Sequence, residues 1–153
     1  MSVSKLFKRE VFASLRFPLD RIHEDNAVIL DILKNSKRVL LIKENLYHYI
    51  RREGSITTSK ISEKRIRSLF LNYKESVQFL KNENLNQFLD LNQIQYFYAF
   101  WGLFRDCNDR KTRKIIRSYV IKIKKEYKPK LKLNKTKFSI FIRKMFILLN
   151  IKP

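Results

Sequence analysis

The stretch "LNQFLDLNQIQYFYAFWGLF" (85–104) contains the densest run of aromatic side chains in the chain. Six of the nine residues from Tyr96 to Phe104 are aromatic, and only Asp90 carries a charge within the whole stretch. A segment that is apolar on most of its surface is typical of a helix buried on several sides. The stretch therefore predicts a central buried helix around which the second part of the chain folds.

Apolar side chains at helical spacing continue on both sides of this stretch. We expect a preceding helix that begins at Ser62 and Glu63 and ends at "KNEN" (81–84). We expect a following helix that ends before Pro129. A last helix is expected over 138–149. The predicted stripes are Ile66, Leu69, Phe70, Tyr73, Val77 and Leu80, then Ile116, Tyr119, Val120, Ile123 and Tyr127, then Phe138, Phe141, Ile142, Met145, Leu148 and Leu149. Residues 60–153 are thus predicted to be mainly α-helical.

The first part of the chain shows a mixed pattern. Apolar residues at helical spacing after Glu24 and Asp25 predict one short helix. "RVLLIKENLYHYI" (38–50) has two apolar runs around Glu44 and Asn45, which favours two short strands with a tight connection. "RREGSITTS" (51–59) is predicted to be a loop. The expected fold is therefore an α/β part with a helix and a β-hairpin, followed by a helical region.

The chain carries 34 basic and 14 acidic residues, a formal net charge of +20, so an anionic partner is expected. Residues 105–153 hold 17 of the basic residues and 3 of the acidic ones. The segment "KFSIFIRKMFILLNIKP" (137–153) combines an apolar stripe with basic residues, which is typical of a helix at a membrane surface. This favours an anionic membrane surface over nucleic acid, with packing against the rest of the domain as a nearly equal alternative.

Several classes of site are excluded by composition. A single cysteine leaves no internal disulfide, and two glycines are too few for a P-loop or a dinucleotide-binding loop. No uncharged segment approaches the roughly 20 residues that a membrane span needs. We therefore expect a cytoplasmic protein.

Asp25 is the candidate catalytic residue that spacing supports best. It lies three and four residues before Val28 and Ile29, so it shares the helix face that packs inward, whereas Glu24 lies about 100° round the helix. An ionised carboxylate there can act as a general base. Helix capping is the commoner role of such an acid, and on spacing alone it is favoured. His23 and His48 have no partner at a metal-ligand spacing, so both are expected to be structural.

The segment "YHYIRREGSI" (47–56) offers Arg51, Arg52 and Ser55, which together could bind a phosphate group. The end of a hairpin with solvated arginines is the favoured alternative.

Three blocks, "KLFKREVF" (5–12), "RFPLDRIHEDNAV" (16–28) and "KRVLLIKENLYHYIRREGSIT" (37–57), followed by a helical region, resemble the second half of bacterial family 2 glycosyltransferases. These are GT-A enzymes that build polysaccharide and lipopolysaccharide chains. The resemblance implies that Asp25 is the general base and that Glu24 is an acceptor-site or structural residue. It also implies that Arg51, Arg52 and Ser55 contact the donor diphosphate. An acceptor sugar hydroxyl would attack the anomeric carbon of a nucleotide-sugar with inversion.

The chain departs from this family because it contains no Asp-x-Asp, the motif that holds the divalent metal. We therefore expect the C-terminal part of a glycosyltransferase, with residues 1–59 from the GT-A domain and 60–153 as a basic helical region. Mn²⁺ or Mg²⁺ is implied for the complete enzyme and no cofactor for this part. The expected partners are a nucleotide-sugar, a glycan acceptor and, through residues 105–153, the inner face of the cell membrane. The alternative is a non-enzymatic basic module that binds anionic lipid or nucleic acid.

Overall fold

The structure is a computed structural model that describes residues 5–48, 50 and 59–126. Within these residues the α-helices are α1 (Glu24–Asn35), α2 (Glu63–Asn82), α3 (Leu89–Asp106) and α4 (Arg110–Glu126), with short 3-10 helices at Arg9–Phe12 and Asn86–Phe88. The chain divides into two units, Met1–Phe79 and Leu80–Pro153. The predicted division after residue 59, which follows from the family resemblance, stays a prediction.

The predicted β-hairpin is wrong, and the described residues contain no strand. Residues 38–48 form neither helix nor strand, and their apolar side chains are exposed, with Leu41 86% exposed. The sequence has the local preferences of a strand, but a strand also needs a hydrogen-bonded neighbour and a buried face, and an isolated hairpin is marginal in water. The described part of the fold is therefore all-α rather than α/β.

In the first unit, α1 buries Val28 and Ile32 on one side. The side-chain amide of Asn35 donates to the Val11 carbonyl at 3.3 Å and so connects the end of α1 to the 3-10 helix. Within the same segment, the Phe12 ring lies 5.4 Å from the Phe7 ring and 5.8 Å from the Phe17 ring. An aromatic cluster, Phe7, Phe12 and Phe17, therefore precedes α1.

Helix α2 begins and ends where the sequence predicts. The Ser62 hydroxyl accepts the Arg65 backbone N–H at 3.2 Å, which satisfies one free donor of the first turn. After the helix, Asn84 adopts φ 56°, and the Leu85 N–H donates to the Leu80 carbonyl at 2.8 Å. This is the Schellman arrangement, in which a left-handed residue lets the chain return to the last free carbonyls.

In the second unit, the aromatic stretch is confirmed as a helix, α3, but this helix buries one face rather than several sides, and Leu91 and Tyr98 are exposed. Phe100 is completely buried and stacks with Tyr119 of α4 at 6.4 Å. Helix α4 contributes three fully buried residues, Ile116, Val120 and Ile123. The Gln93 side-chain amide donates to the Ile123 carbonyl at 3.3 Å, so a polar contact also connects α3 to α4.

The predicted helix over 138–149 lies outside the described residues. Within the described ranges, every helix is too short or too polar to cross a membrane.

Candidate functional site

The start of α1 has an uncommon backbone conformation. Its N-cap residue is His23, with φ 62° and ψ 45°, and the His23 side chain makes no capping hydrogen bond. A non-glycine residue in the left-handed region is strained and persists only where its surroundings hold it. The His23 carbonyl accepts a 2.9 Å hydrogen bond from the side-chain amide of Asn72, a buried residue of α2.

The two residues before His23 are held by α2 as well. Arg21 binds both carboxylate oxygens of Glu75, with 2.8 Å from Nη2 to Oε1, and donates to Asn72 Oδ1 at 3.1 Å. The Ile22 backbone N–H donates to Ser68 Oγ at 3.1 Å. Three consecutive residues are therefore fixed by polar side chains of α2, and this fixes the direction in which α1 begins.

Sequence reasoning missed Ser68, Asn72 and Glu75. A signal was present, because Ser68, Asn72 and Ser76 recur every four residues and all three are buried. Polar residues at helical spacing beside an apolar stripe indicate a buried polar contact, since a buried polar group without a partner is costly.

Asp25 lies two residues after His23 and lines a cavity of about 100 Å³ in the first unit. The wall of the cavity is partly apolar, and its lining residues are Lys5, Phe7, Phe17, Asp25, Asn26, Ile29 and Ile32. Ligand pockets that enclose a whole small molecule have about 300–1,000 Å³. This cavity is therefore large enough for part of a small molecule, and the rest of such a ligand would lie outside it.

The carboxyl of Asp25 is ionised at neutral pH, as an ordinary aspartate is. Partial burial acts to raise the pKa of Asp25, and hydrogen bonding acts to lower it. One such hydrogen bond is the one that the Asn26 backbone N–H donates to Asp25 Oδ1 at 3.0 Å. Burial and the positive charge of Arg65 lower the pKa of His23, so its ring is neutral at pH 7.

The other predicted site residues are not brought to this cavity. Glu24 is the first residue of α1 and does not line the cavity. His48 is exposed in the segment without secondary structure. Arg51, Arg52 and Ser55 lie outside the described residues. In the part of the chain that the structure describes, no group of three or more His, Cys, Asp or Glu side chains could hold a metal ion.

Comparison of the chain with protein-family models, curated proteins and solved structures finds no match.

Proposed function

We propose that this chain supplies the acceptor side of a glycosyl-transfer reaction in which Asp25 is the general base. The observation that carries the proposal is the position of Asp25, whose carboxylate lines a small cavity with partly apolar walls. The resemblance of three sequence blocks to family 2 glycosyltransferases also supports the proposal, because it implies that Asp25, the acid at this cavity, is the general base.

In the proposed reaction, a hydroxyl of the acceptor sugar enters the cavity beside Asp25. The Asp25 carboxylate takes the hydroxyl proton while the oxygen forms a bond to the anomeric carbon of the donor. The bond from that carbon to the diphosphate breaks on the opposite face, and its electron pair leaves with the nucleoside diphosphate. Configuration at the anomeric carbon is inverted.

The cavity walls suit part of a sugar ring. Phe7 and Phe17 offer apolar surface to the carbon-bound hydrogens, and Lys5 and Asn26 bring polar groups near the hydroxyls. Two contacts from α2 to backbone groups hold the chain just before Asp25, so the carboxylate has a defined position before any ligand arrives. Such preorganisation contributes to catalysis because the reacting groups need no further ordering.

Donor and metal binding require residues beyond those described. The sequence has no Asp-x-Asp, and the acids of the described residues do not fit a divalent metal site. A nucleotide-binding region is therefore a necessary partner in this proposal. Arg51, Arg52 and Ser55 remain candidates for the donor diphosphate on the strength of the resemblance alone.

The test is sugar transfer by this chain joined to a nucleotide-binding half of a family 2 glycosyltransferase. We expect Asp25→Asn to lower kcat by about 10²–10⁴-fold, the usual contribution of a general base. KM for the acceptor should change by less than about threefold, because the amide keeps the shape of the site. Asp31→Asn is the matched control, since it removes an acid from the same helix that does not line this cavity. Transfer that survives Asp25→Asn, or that Asp31→Asn lowers equally, contradicts the assignment.

A further inference from the structure

We propose that the outer face of α4 docks the second unit on an anionic lipid surface. This inference is independent of the proposed transfer reaction. The outer face of α4 comprises the exposed residues of this helix up to Lys125. These are Arg110, Lys111, Lys114, Ser118, Lys122 and Lys125.

The outer face and the buried face lie on opposite sides of α4. At 100° per residue, the six exposed positions fall within an arc of about 120° around the helix. The centre of this exposed arc lies about 190° from the centre of the arc that the buried residues occupy. The buried arc consists of Ile116, Val120 and Ile123, which are fully buried. Because the apolar side of the helix is already covered, the outer face is available to a partner while the fold stays intact.

Five of the six residues on the outer face are basic, and the helix contains no acid before Glu126. From Arg110 to Lys125 the face extends for about 22 Å at 1.5 Å per residue. Within a Debye length of about 10 Å, charges of one sign at this density reinforce one another. The face therefore requires an extended anionic surface rather than a single anion.

Not every cation of α4 belongs to this face. The Arg113 guanidinium donates to the Cys107 carbonyl at 2.7 Å and lies over the Phe104 ring at 4.9 Å. Arg113 therefore has a structural role, because it connects the first turn of α4 to the end of α3. Lys122 lies 4.8 Å from the centre of the Tyr119 ring, which favours one orientation of its ammonium group without burying it.

Two observations favour lipid over nucleic acid. Ser118 is the one uncharged residue of the outer face, so the face has no aromatic or amide side chain to stack on a base or to read its edge. In addition, the sequence after α4 combines apolar and basic residues in "KFSIFIRKMFILLNIKP" (137–153). Apolar side chains strengthen attachment to a bilayer, where stable binding needs an apolar signal beside a basic one, and they do not strengthen attachment to phosphates alone.

The experiment is co-sedimentation of the full chain with phosphatidylcholine vesicles that contain or lack phosphatidylserine. We expect binding to the phosphatidylserine vesicles alone, and a strong loss when salt is raised from about 0.1 M to about 1 M. The triple variant Lys111→Gln, Lys114→Gln, Lys125→Gln should lower the partition coefficient by about 100-fold, since each basic residue at such a surface contributes about fivefold.

The matched control is Lys60→Gln, Lys64→Gln, Lys81→Gln, which removes three exposed lysines from outside α4. Both variants remove the same charge, so an equal loss would show attraction by net charge alone and overturn the proposal. Binding to duplex DNA that the α4 variant abolishes, without binding to vesicles, would assign the face to nucleic acid and also overturn it. Far-UV circular dichroism and Trp101 fluorescence should match the unchanged chain in both variants, because every substituted lysine is exposed.

Discussion

Helices α1 and α4 both begin beside aspartates, but the two acids make different contacts. Asp109 precedes α4, and its carboxylate accepts the Thr112 backbone N–H at 2.6 Å, so it is a capping residue. Asp25 is the second residue of α1, where His23 holds the N-cap position, and its carboxylate lines a cavity. An acid at a helix start therefore does not always occupy the N-cap position.

The two helix starts also differ in what holds them. Around α4 the contacts are local, because Asp109 caps the helix and Arg113 binds the Cys107 carbonyl six residues earlier. The start of α1 depends on Asn72, which lies 49 residues beyond His23 in the chain. A strained residue that is held by a distant part of the sequence is expected where function fixes the geometry.

The largest expected effect concerns the buried face of α4. Ile116 is fully buried, so Ile116→Ala should lower the free energy of unfolding by about 2–5 kcal/mol through lost burial and a residual cavity. Chemical denaturation followed by circular dichroism measures this. Ile121→Ala, at a partly exposed position of the same helix, is the control and should cost clearly less. Equal costs would mean that α4 does not depend on its buried face.

The next effect concerns the start of α1. Asn72→Ala removes the donor to the His23 carbonyl and an acceptor of Arg21, and it should lower the free energy of unfolding by about 2–3 kcal/mol. Hydrogen exchange of the amides in the first turn of α1 should accelerate more than exchange in α4. Gln95→Ala replaces an exposed amide on α3 and should change neither. An unchanged exchange rate in α1 after Asn72→Ala would show that local interactions suffice to hold His23.

The described helices were predictable because each needs information from its own segment. α2 has a capping serine, a regular apolar stripe and an asparagine at its end, and α3 has an aromatic run, so spacing and propensity agree in both. Residues 38–48 show the limit of such reasoning, because the apolar pattern there indicates a strand that lacks any neighbour. Strand preference is expressed only when a partner strand and a buried face are available.

Part of the candidate site was predictable for the same reason. The spacing of Asp25, Val28 and Ile29 predicts an inward-facing carboxylate, and the cavity includes Asp25 and Ile29. Ser68, Asn72 and Glu75 could not be predicted as the partners of residues 21–23, because the sequence around residues 21–23 does not indicate which residues of α2 they contact. The left-handed residue, His23, is itself one partner in those contacts, because its carbonyl accepts from Asn72.

A smaller effect separates the two aspartates directly. Asp109→Ala should accelerate hydrogen exchange of the Thr112 and Arg113 amides, because it removes the cap of α4. Asp25→Ala should change exchange in the first turn of α1 less, since α2 holds that turn through His23. The reverse order would make Asp25 the more important cap and would weaken its assignment as a base.

The smallest effect is the pH dependence of the α4 cap. The hydrogen bonds from Thr112 lower the pKa of Asp109 below its ordinary value. A carboxyl with a lower pKa in the folded state stabilises the fold fully above its unfolded pKa, and that stabilisation is lost as pH falls through the folded pKa. Protection of the Thr112 amide should therefore be constant from neutral pH to about pH 4, the region of an unperturbed aspartate, and should decline below it. Carboxyl carbon chemical shifts in an NMR titration measure the pKa directly. In Asp109→Asn the decline should disappear, because the amide caps α4 without a titrating proton, and a decline that persists in this variant would assign it to another acid.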